Sequence, residues 1–278
     1  MMKPSIRRFA ALLLALLLTA GAAFARTQPL NILLIGVDSA DEAETGRSDA
    51  MILVRADADA GSIRMVSFLR DLYVPIPGHG SHRLNAAYTF GGEELLKQTL
   101  HDSFGVTVDR TAAVDFSLLT QLVDQLGGID LEITEKERQA LNSLLPEWER
   151  EVASAGWQRL TGTQTLCYTR IRKLDSDFQR TRRQQQVLSA MLDRSAVLGY
   201  WDLLEMAVST LSSIRTDLKL SDMLDLLPIA TRLGELELKS ASVPFDGTYR
   251  DETINGMMVL KPDLDLIRKR LNDFLYGE

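Results

Sequence analysis

Apolar and polar positions change period several times along the chain, and each change marks an element. Leu30 to Val37 (LNILLIGV) and Ala50 to Ala56 (AMILVRA) are short apolar runs rich in branched side chains, and Ser62 to Leu69 follows the turn signal Asp57 to Gly61. Runs of that length and composition predict three strands. From Gly92 to Phe104 the period lengthens: Leu95, Leu96, Leu100 and Phe104 recur at helical spacing, and Gly105 supplies a stop. Phe116 to Leu126 repeats the pattern and ends in Gly127 and Gly128, after which Ile129 to Ile133 alternates as a strand. Glu135 to Gly156 is charged, contains Pro146, and reads as an insertion carrying one helix. Thr161 to Lys173 leads into a long helix from about Arg180 to Leu198, and further helical patterns run from Leu203 to Ile214 and from Ser221 to Leu233. Leu236 to Phe245 reads as a returning strand, and Asp263 to Leu275 as a last amphipathic helix. This alternation predicts an α/β fold, a mixed central β-sheet sandwiched by helices. Neither an internal repeat nor a linker divides it, so residues 26 to 278 are expected to form one domain.

The first residues follow a different rule. Lys3, Arg7 and Arg8 precede an apolar run from Phe9 to Leu18, and Ala23, Phe24 and Ala25 form a small-x-small triplet. Extended to Phe24 the run is 16 residues, below the roughly 20 that span a bilayer as a permanent helix. Residues 1 to 25 therefore read as a cleaved signal peptide or an N-terminal membrane anchor. Both place the remainder outside the cytoplasmic membrane.

Charge sharpens the picture. Without those three basic residues the formal charge moves from -7 to -10, so bulk attraction to nucleic acid is excluded and any anion site must come from local clustering. The single cysteine, Cys167, rules out an internal disulfide and argues against a thiolate zinc site.

Arginines cluster in one stretch: Tyr168-Thr169-Arg170-Ile171-Arg172-Lys173, then Asp177, Arg180, Arg182, Arg183 and Gln184. If Tyr168 to Arg172 is extended, alternation puts Arg170 and Arg172 on one face with Tyr168. In the following helix Arg180 shares a face with Arg183 and Gln184. Planar guanidinium forks match phosphate oxygens bidentately; the competing reading is a solvated basic face. A second constellation sits at strand ends. Asp38 follows the first strand, Asp49 precedes the second, and Arg70-Asp71 ends the third. Carboxylates at one sheet edge suit Mg²⁺, which takes a few carboxylates plus substrate phosphates; the alternative is ordinary turn chemistry. His79, His82 and His101 lack partners at metal spacing, and neither a GxxxxGK[ST] loop nor a G-x-S-x-G elbow occurs.

In this order NILLIGVDS (31 to 39), RSDAMILV (47 to 54), MVSFLRDLYVPIPG (65 to 78), VDFSLLTQLVDQLGGIDLEI (114 to 133), LTGTQTLCYTRIRK (160 to 173) and DFQRTRRQQQVLSAML (177 to 192) resemble the LytR-CpsA-Psr family, over roughly residues 30 to 195. Gln179 stands where the family often has glycine, and Leu69 where it usually has proline. The resemblance implies an envelope enzyme that moves a glycopolymer, such as teichoic acid or capsular polysaccharide, from a polyprenyl pyrophosphate donor at the membrane surface to peptidoglycan. It further implies that Asp38 and Asp49 hold Mg²⁺, that Arg70, Arg170, Arg172, Arg180, Arg183 and Gln184 contact the pyrophosphate, and that Asp71 or Asp49 acts as base. Hydrolysis of the pyrophosphate is an expected side reaction. The alternative is a module that binds the polyprenyl phosphate or wall glycan without transferring it. The apolar faces of 92 to 104, 116 to 126 and 185 to 214 are candidates both for a lipid slot and for ordinary core.

Overall fold

A computed structural model of the protein describes residues 28–37, 48–172, 174, 176–199, 214–219 and 232–277, with isolated positions between 202 and 229. The N-terminal segment 1 to 25, Asp38 and most of the two helices expected between Leu203 and Leu233 lie outside the described residues. In chain order the elements are β1 (Leu30–Val37), β2 (Ser48–Asp57), β3 (Ser62–Phe68), β4 (Tyr73–Ile76), β5 (Gly80–Arg83), α1 (Asn85–Phe104), β6 (Arg110–Val114), α2 (Phe116–Gln125), β7 (Ile129–Ile133), α3 (Glu135–Asn142), β8 (Gly156–Leu160), α4 (Gly162–Thr169), α5 (Asp177–Ser195), β9 (Arg215–Thr216), β10 (Glu237–Val243), β11 (Tyr249–Ile254), β12 (Met257–Pro262) and α6 (Leu264–Tyr276).

Six of these strands make the central sheet, in the order β10-β3-β2-β1-β6-β9. β2 runs antiparallel to both β1 and β3, whereas β6 is parallel to β1 and β10 is parallel to β3. Hence β1, β3, β6 and β10 all end at one edge. Strand alternation divides the sheet's side chains between two layers. Leu33, Ile35, Leu53 and Val66 pack with Leu96 and Leu100 of α1 and Ile267 and Leu271 of α6. Leu34, Ile52, Val54 and Met65 point the other way and meet Leu188 and Leu192 of α5. Each such side chain contributes about 1.5–3 kcal/mol when fully buried. The mixed sheet between helices is thus as expected.

Local chemistry sets the helix starts. Asp115 and Asp263 accept from the backbone N–H of Leu118 and Leu266, and reciprocal capping boxes open α3 (Thr134 with Glu137) and α4 (Thr161 with Gln164), each worth on the order of 1 kcal/mol. α1 starts before the expected Gly92, but its helical dihedrals break at Gly91 and Gly92, the latter at φ 63°. Gly162 lets α4 approach α2 closely: a Cβ there would lie 2.2 Å from the Thr120 carbonyl oxygen.

Two sequence readings need correcting. Tyr168 to Arg172 is not extended: α4 runs to Thr169 and Arg170 caps it at φ -94°, ψ 0°. Tyr168 is 1% exposed and holds its hydroxyl between Glu137 and Gln186, so core packing of the ring outweighs the β propensity of Tyr, Thr and Ile. The face of 92 to 104 does not share a layer with 185 to 195, because Leu95, Leu96, Leu100 and Phe104 belong to the layer on the opposite side of the sheet.

Candidate functional site

The edge where the four parallel strands end is also where the charged residues meet, as carboxyl ends of strands commonly do in open α/β sheets. Pairing of Val37 with Ser48 and of Ile52 with Ser67 carries Asp49 to the ends of β1 and β3. Arg70 and Asp71 follow β3 directly. Their turn is pinned by backbone bonds from Leu69 N–H to the Val243 carbonyl (2.9 Å) and from Leu260 N–H to the Asp71 carbonyl (2.9 Å). α5 begins beside them with Asp177 and Arg180.

One ion-pair network joins these groups. Asp49 receives Arg70 Nη1 on Oδ1 at 2.7 Å and Arg172 Nη2 on Oδ2 at 2.6 Å. Arg70 Nε lies 3.4 Å from Asp177 and 3.8 Å from Asp71, and Asp71 also faces Arg83 at 3.2 Å. Arg180 Nη2 donates to Asp177 at 3.0 Å. Four guanidiniums therefore share three carboxylates, and the excess is positive in a protein that is acidic overall.

The carboxylates differ. Burial works against the charge of Asp49, yet the hydrogen bond and charge of Arg70, with Arg172 and Arg180, hold its carboxyl below the usual range. Burial pushes Asp71 up, and Arg83 and Arg70 offset this only in part. Arg180 is 4% exposed, and burial together with the neighbouring Arg70 pulls its pKa down against the pull of Asp177; a guanidinium nevertheless stays charged.

A cleft of about 420 Å³ opens here, lined by Asp49, Arg170, Arg172, Arg180 and Gln184 together with Phe116, Leu144, Cys167 and Thr169. Arg170 lies over the Phe116 ring at 5.0 Å. Arg180 Nε and Arg70 Nε are buried without a hydrogen-bond acceptor, and Arg180 Nη1, although 2.7 Å from Asp177, is poorly aligned with it. Unmade buried donors cost roughly 1–3 kcal/mol each. Below Arg180 and Gln184 the same slowly turning stripe of α5 continues as Leu188 and Leu192, packed on Leu34, Val54 and Met65.

Arg183 does not join this cleft. It is 2% exposed and turned inward, with Nη2 donating to the Ile171 carbonyl at 2.9 Å and Nη1 3.5 Å from Glu137. Arg83 is in the network without having been singled out. Asp177 is legible as an acid in the first turn of α5, whereas Arg83 arrives only because the β4–β5 hairpin folds back. Among the described residues no trio of His, Cys, Asp or Glu could hold a metal unaided. Asp49 offers Mg²⁺ a hard carboxylate held below the usual range, each oxygen keeping a second lone pair beyond the one that accepts from Arg70 or Arg172. Burial raises the pKa of the Cys167 thiol, against a nucleophilic role.

The model of the LytR_cpsA_psr family matches residues 18–273. The chain is 31% identical over 213 residues to the polyisoprenyl-teichoic acid–peptidoglycan teichoic acid transferase TagT of Bacillus subtilis (strain 168), covering 74% of this chain and 66% of TagT, just under two thirds of its length. The solved structure of TagT bound to LIIa-WTA superposes with a TM-score of 0.73 at 28% identity, covering 89% of this chain and 91% of that one. TagT with bound octaprenyl pyrophosphate lipid gives 0.69 at 27% identity, with 90% and 91% covered.

Proposed function

This chain belongs to the LytR-CpsA-Psr family, and from that premise we propose that it is a phosphotransferase acting at the outer face of the cytoplasmic membrane. It moves a glycopolymer of the teichoic acid or capsular polysaccharide type from a polyprenyl pyrophosphate carrier to a peptidoglycan hydroxyl. One observation carries this reading: Arg180, buried with donors unmet, shares three carboxylates with Arg70, Arg83 and Arg172 at the head of an apolar stripe. A pyrophosphate is complementary to the charged end of that arrangement.

In this account Arg70, Arg172 and Arg180 bind the two phosphates, Gln184 donates its amide, and Arg170 guards the rim. The acceptor oxygen attacks the phosphorus that carries the glycan. The bond from that phosphorus to the bridging oxygen breaks, and polyprenyl monophosphate leaves with the electron pair. Guanidiniums fixed before the reaction stabilise the charge that moves onto the bridging oxygen. The hydroxyl proton passes to Asp71, whose burial makes it a stronger base than Asp49. Asp49, with Asp38 as the second carboxylate that the family resemblance supplies, would hold Mg²⁺, which when bound neutralises further phosphate charge. Water in place of the hydroxyl gives pyrophosphate hydrolysis.

The test supplies the full chain in detergent with a polyprenyl pyrophosphate-linked glycan, Mg²⁺ and peptidoglycan fragments, and scores linked product by mass. EDTA, or Asp49→Ala in a variant that still folds, is expected to stop product formation while the lipid stays bound. Product unchanged by both treatments would refute the metal. Absence of product with every envelope glycan, with lipid binding intact, would favour the binding module.

A further inference from the structure

The far face of α5 borders a second, larger concavity of about 610 Å³, closed by β7, β8 and β10. Gln179, Arg182, Gln186 and Asp193 come to it from the helix at spacings of three, four and seven, so they line one face. Across the groove stand Glu132 and, paired with it in register, Trp157.

Two features separate this groove from a solvated helix face. The first is the indole of Trp157, left 70% exposed on the wall of a concavity, where an aromatic ring more often finds cover. The second is the convergence on one concavity of polar groups that other protein atoms leave open to a ligand. Among the described residues the side chains of Gln179, Arg182, Glu132 and Asp193 form no hydrogen bond or ion pair, and Gln186 commits only its carbonyl oxygen, to Tyr168. Planar amides, a guanidinium and carboxylates around one exposed ring match sugars, whose C–H faces stack on aromatics and whose hydroxyl and acetamido groups both donate and accept. Charge decides which sugar polymer. Asp130 is paired with Arg159 at 2.6 and 2.9 Å, which leaves Glu132 and Asp193 against Arg182 here. A chain of phosphodiesters would be repelled; a glycan without phosphates would not.

We propose that this groove holds the acceptor, a glycan strand of N-acetylated sugars, with Trp157 as its stacking platform and Gln179, Arg182 and Gln186 as its donors. The proposal rests on the transferase reading and adds where the acceptor lies. Gln179 adjoins Arg180 in sequence, so the groove begins on the other side of the same helix from the pyrophosphate cleft, about 10 Å across.

Calorimetric titration of the full chain tests it with three probes: peptidoglycan glycan oligosaccharides freed of their peptides, poly(glycerol phosphate), and inorganic pyrophosphate. The oligosaccharide is expected to bind, and to bind about tenfold more weakly to Trp157→Ala and to Ser189→Trp, which fills the groove, while pyrophosphate affinity is unchanged in both. Absence of oligosaccharide binding, equal binding by the variants, or tighter binding of poly(glycerol phosphate) in the same groove overturns the proposal. Loss of pyrophosphate binding in Arg180→Ala reports on the cleft separately, so the two readings can fail independently.

Discussion

Arg180 and Arg183 sit three residues apart on α5, are 4% and 2% exposed, and yet are held in opposite ways. Arg183 reaches a main-chain carbonyl and Glu137, tying α5 to α3 and to the segment after α4. Arg180 leans on one carboxylate in its own first turn, keeps Nε and Nη1 buried without an aligned acceptor, and lines the cleft. Both leave a buried Nε unmatched, but Arg183 bonds a fixed main-chain carbonyl away from the cleft, whereas Arg180 lines the cleft. Residue type and burial alone do not separate the two; the geometry of the acceptors does.

The contrast breaks first on the side of stability. Arg183→Met leaves the Ile171 carbonyl and Glu137 without their cation and is expected to cost about 3–5 kcal/mol, read as a lower urea midpoint; a loss under about 1 kcal/mol would mean that Arg183 is not structural. Arg180→Ala should lower transfer by about 10²–10³ with an unchanged or higher melting temperature, and Arg180→Lys should not restore it, because an ammonium lacks the fork.

Arg110 sharpens the structural class. It grips Asp222 with Nε at 2.6 Å and Nη2 at 3.0 Å, and that bond holds the Asp222 carboxyl below its usual range. Its stabilisation is therefore complete above the ordinary carboxylate pKa and fades as pH falls through the lower folded-state value. Asp222→Asn should cost about 1.5–3 kcal/mol at pH 7, and the gap from the unaltered protein should close in acid; a gap that does not change with pH would contradict the pairing. The smallest effect belongs to the Arg159–Asp130 pair, whose side chains are 51% and 48% exposed. Arg159→Ala should leave the urea midpoint close to that of the unaltered protein, and closer still in high salt.

What could be read in advance follows the range of the interactions. β1, β2, β3, α2 and α6 were legible because each carries its own period and stop signals within a few residues. The clustering of Arg70, Asp49, Arg172, Arg180 and Gln184 was legible in part, since it follows from which strand ends adjoin. Tyr168 to Arg172 was misread because its side chains favour a strand locally, while the Thr161–Gln164 capping box and the burial of Tyr168 favour a helix. The pairing of β7 with β8 rather than with the central sheet depends on a partner 23 residues further along, Ile133 opposite Gly156. The separation of Arg183 from Arg180 was hidden for the same reason: a shared helix face does not say which neighbour each side chain meets.

The central claim is that the Arg180 side of α5 binds the reacting pyrophosphate and the Arg183 side does not. Single-turnover transfer by the full chain, with polyprenyl pyrophosphate-linked glycan, Mg²⁺ and peptidoglycan fragments and the linked product measured by mass, tests it directly. The expected result is wild-type product, product reduced about 10²–10³-fold in a folded Arg180→Ala protein, and near wild-type rates in Arg183→Met at a temperature where that variant remains folded. A folded Arg180→Ala protein that transfers at the wild-type rate would contradict it.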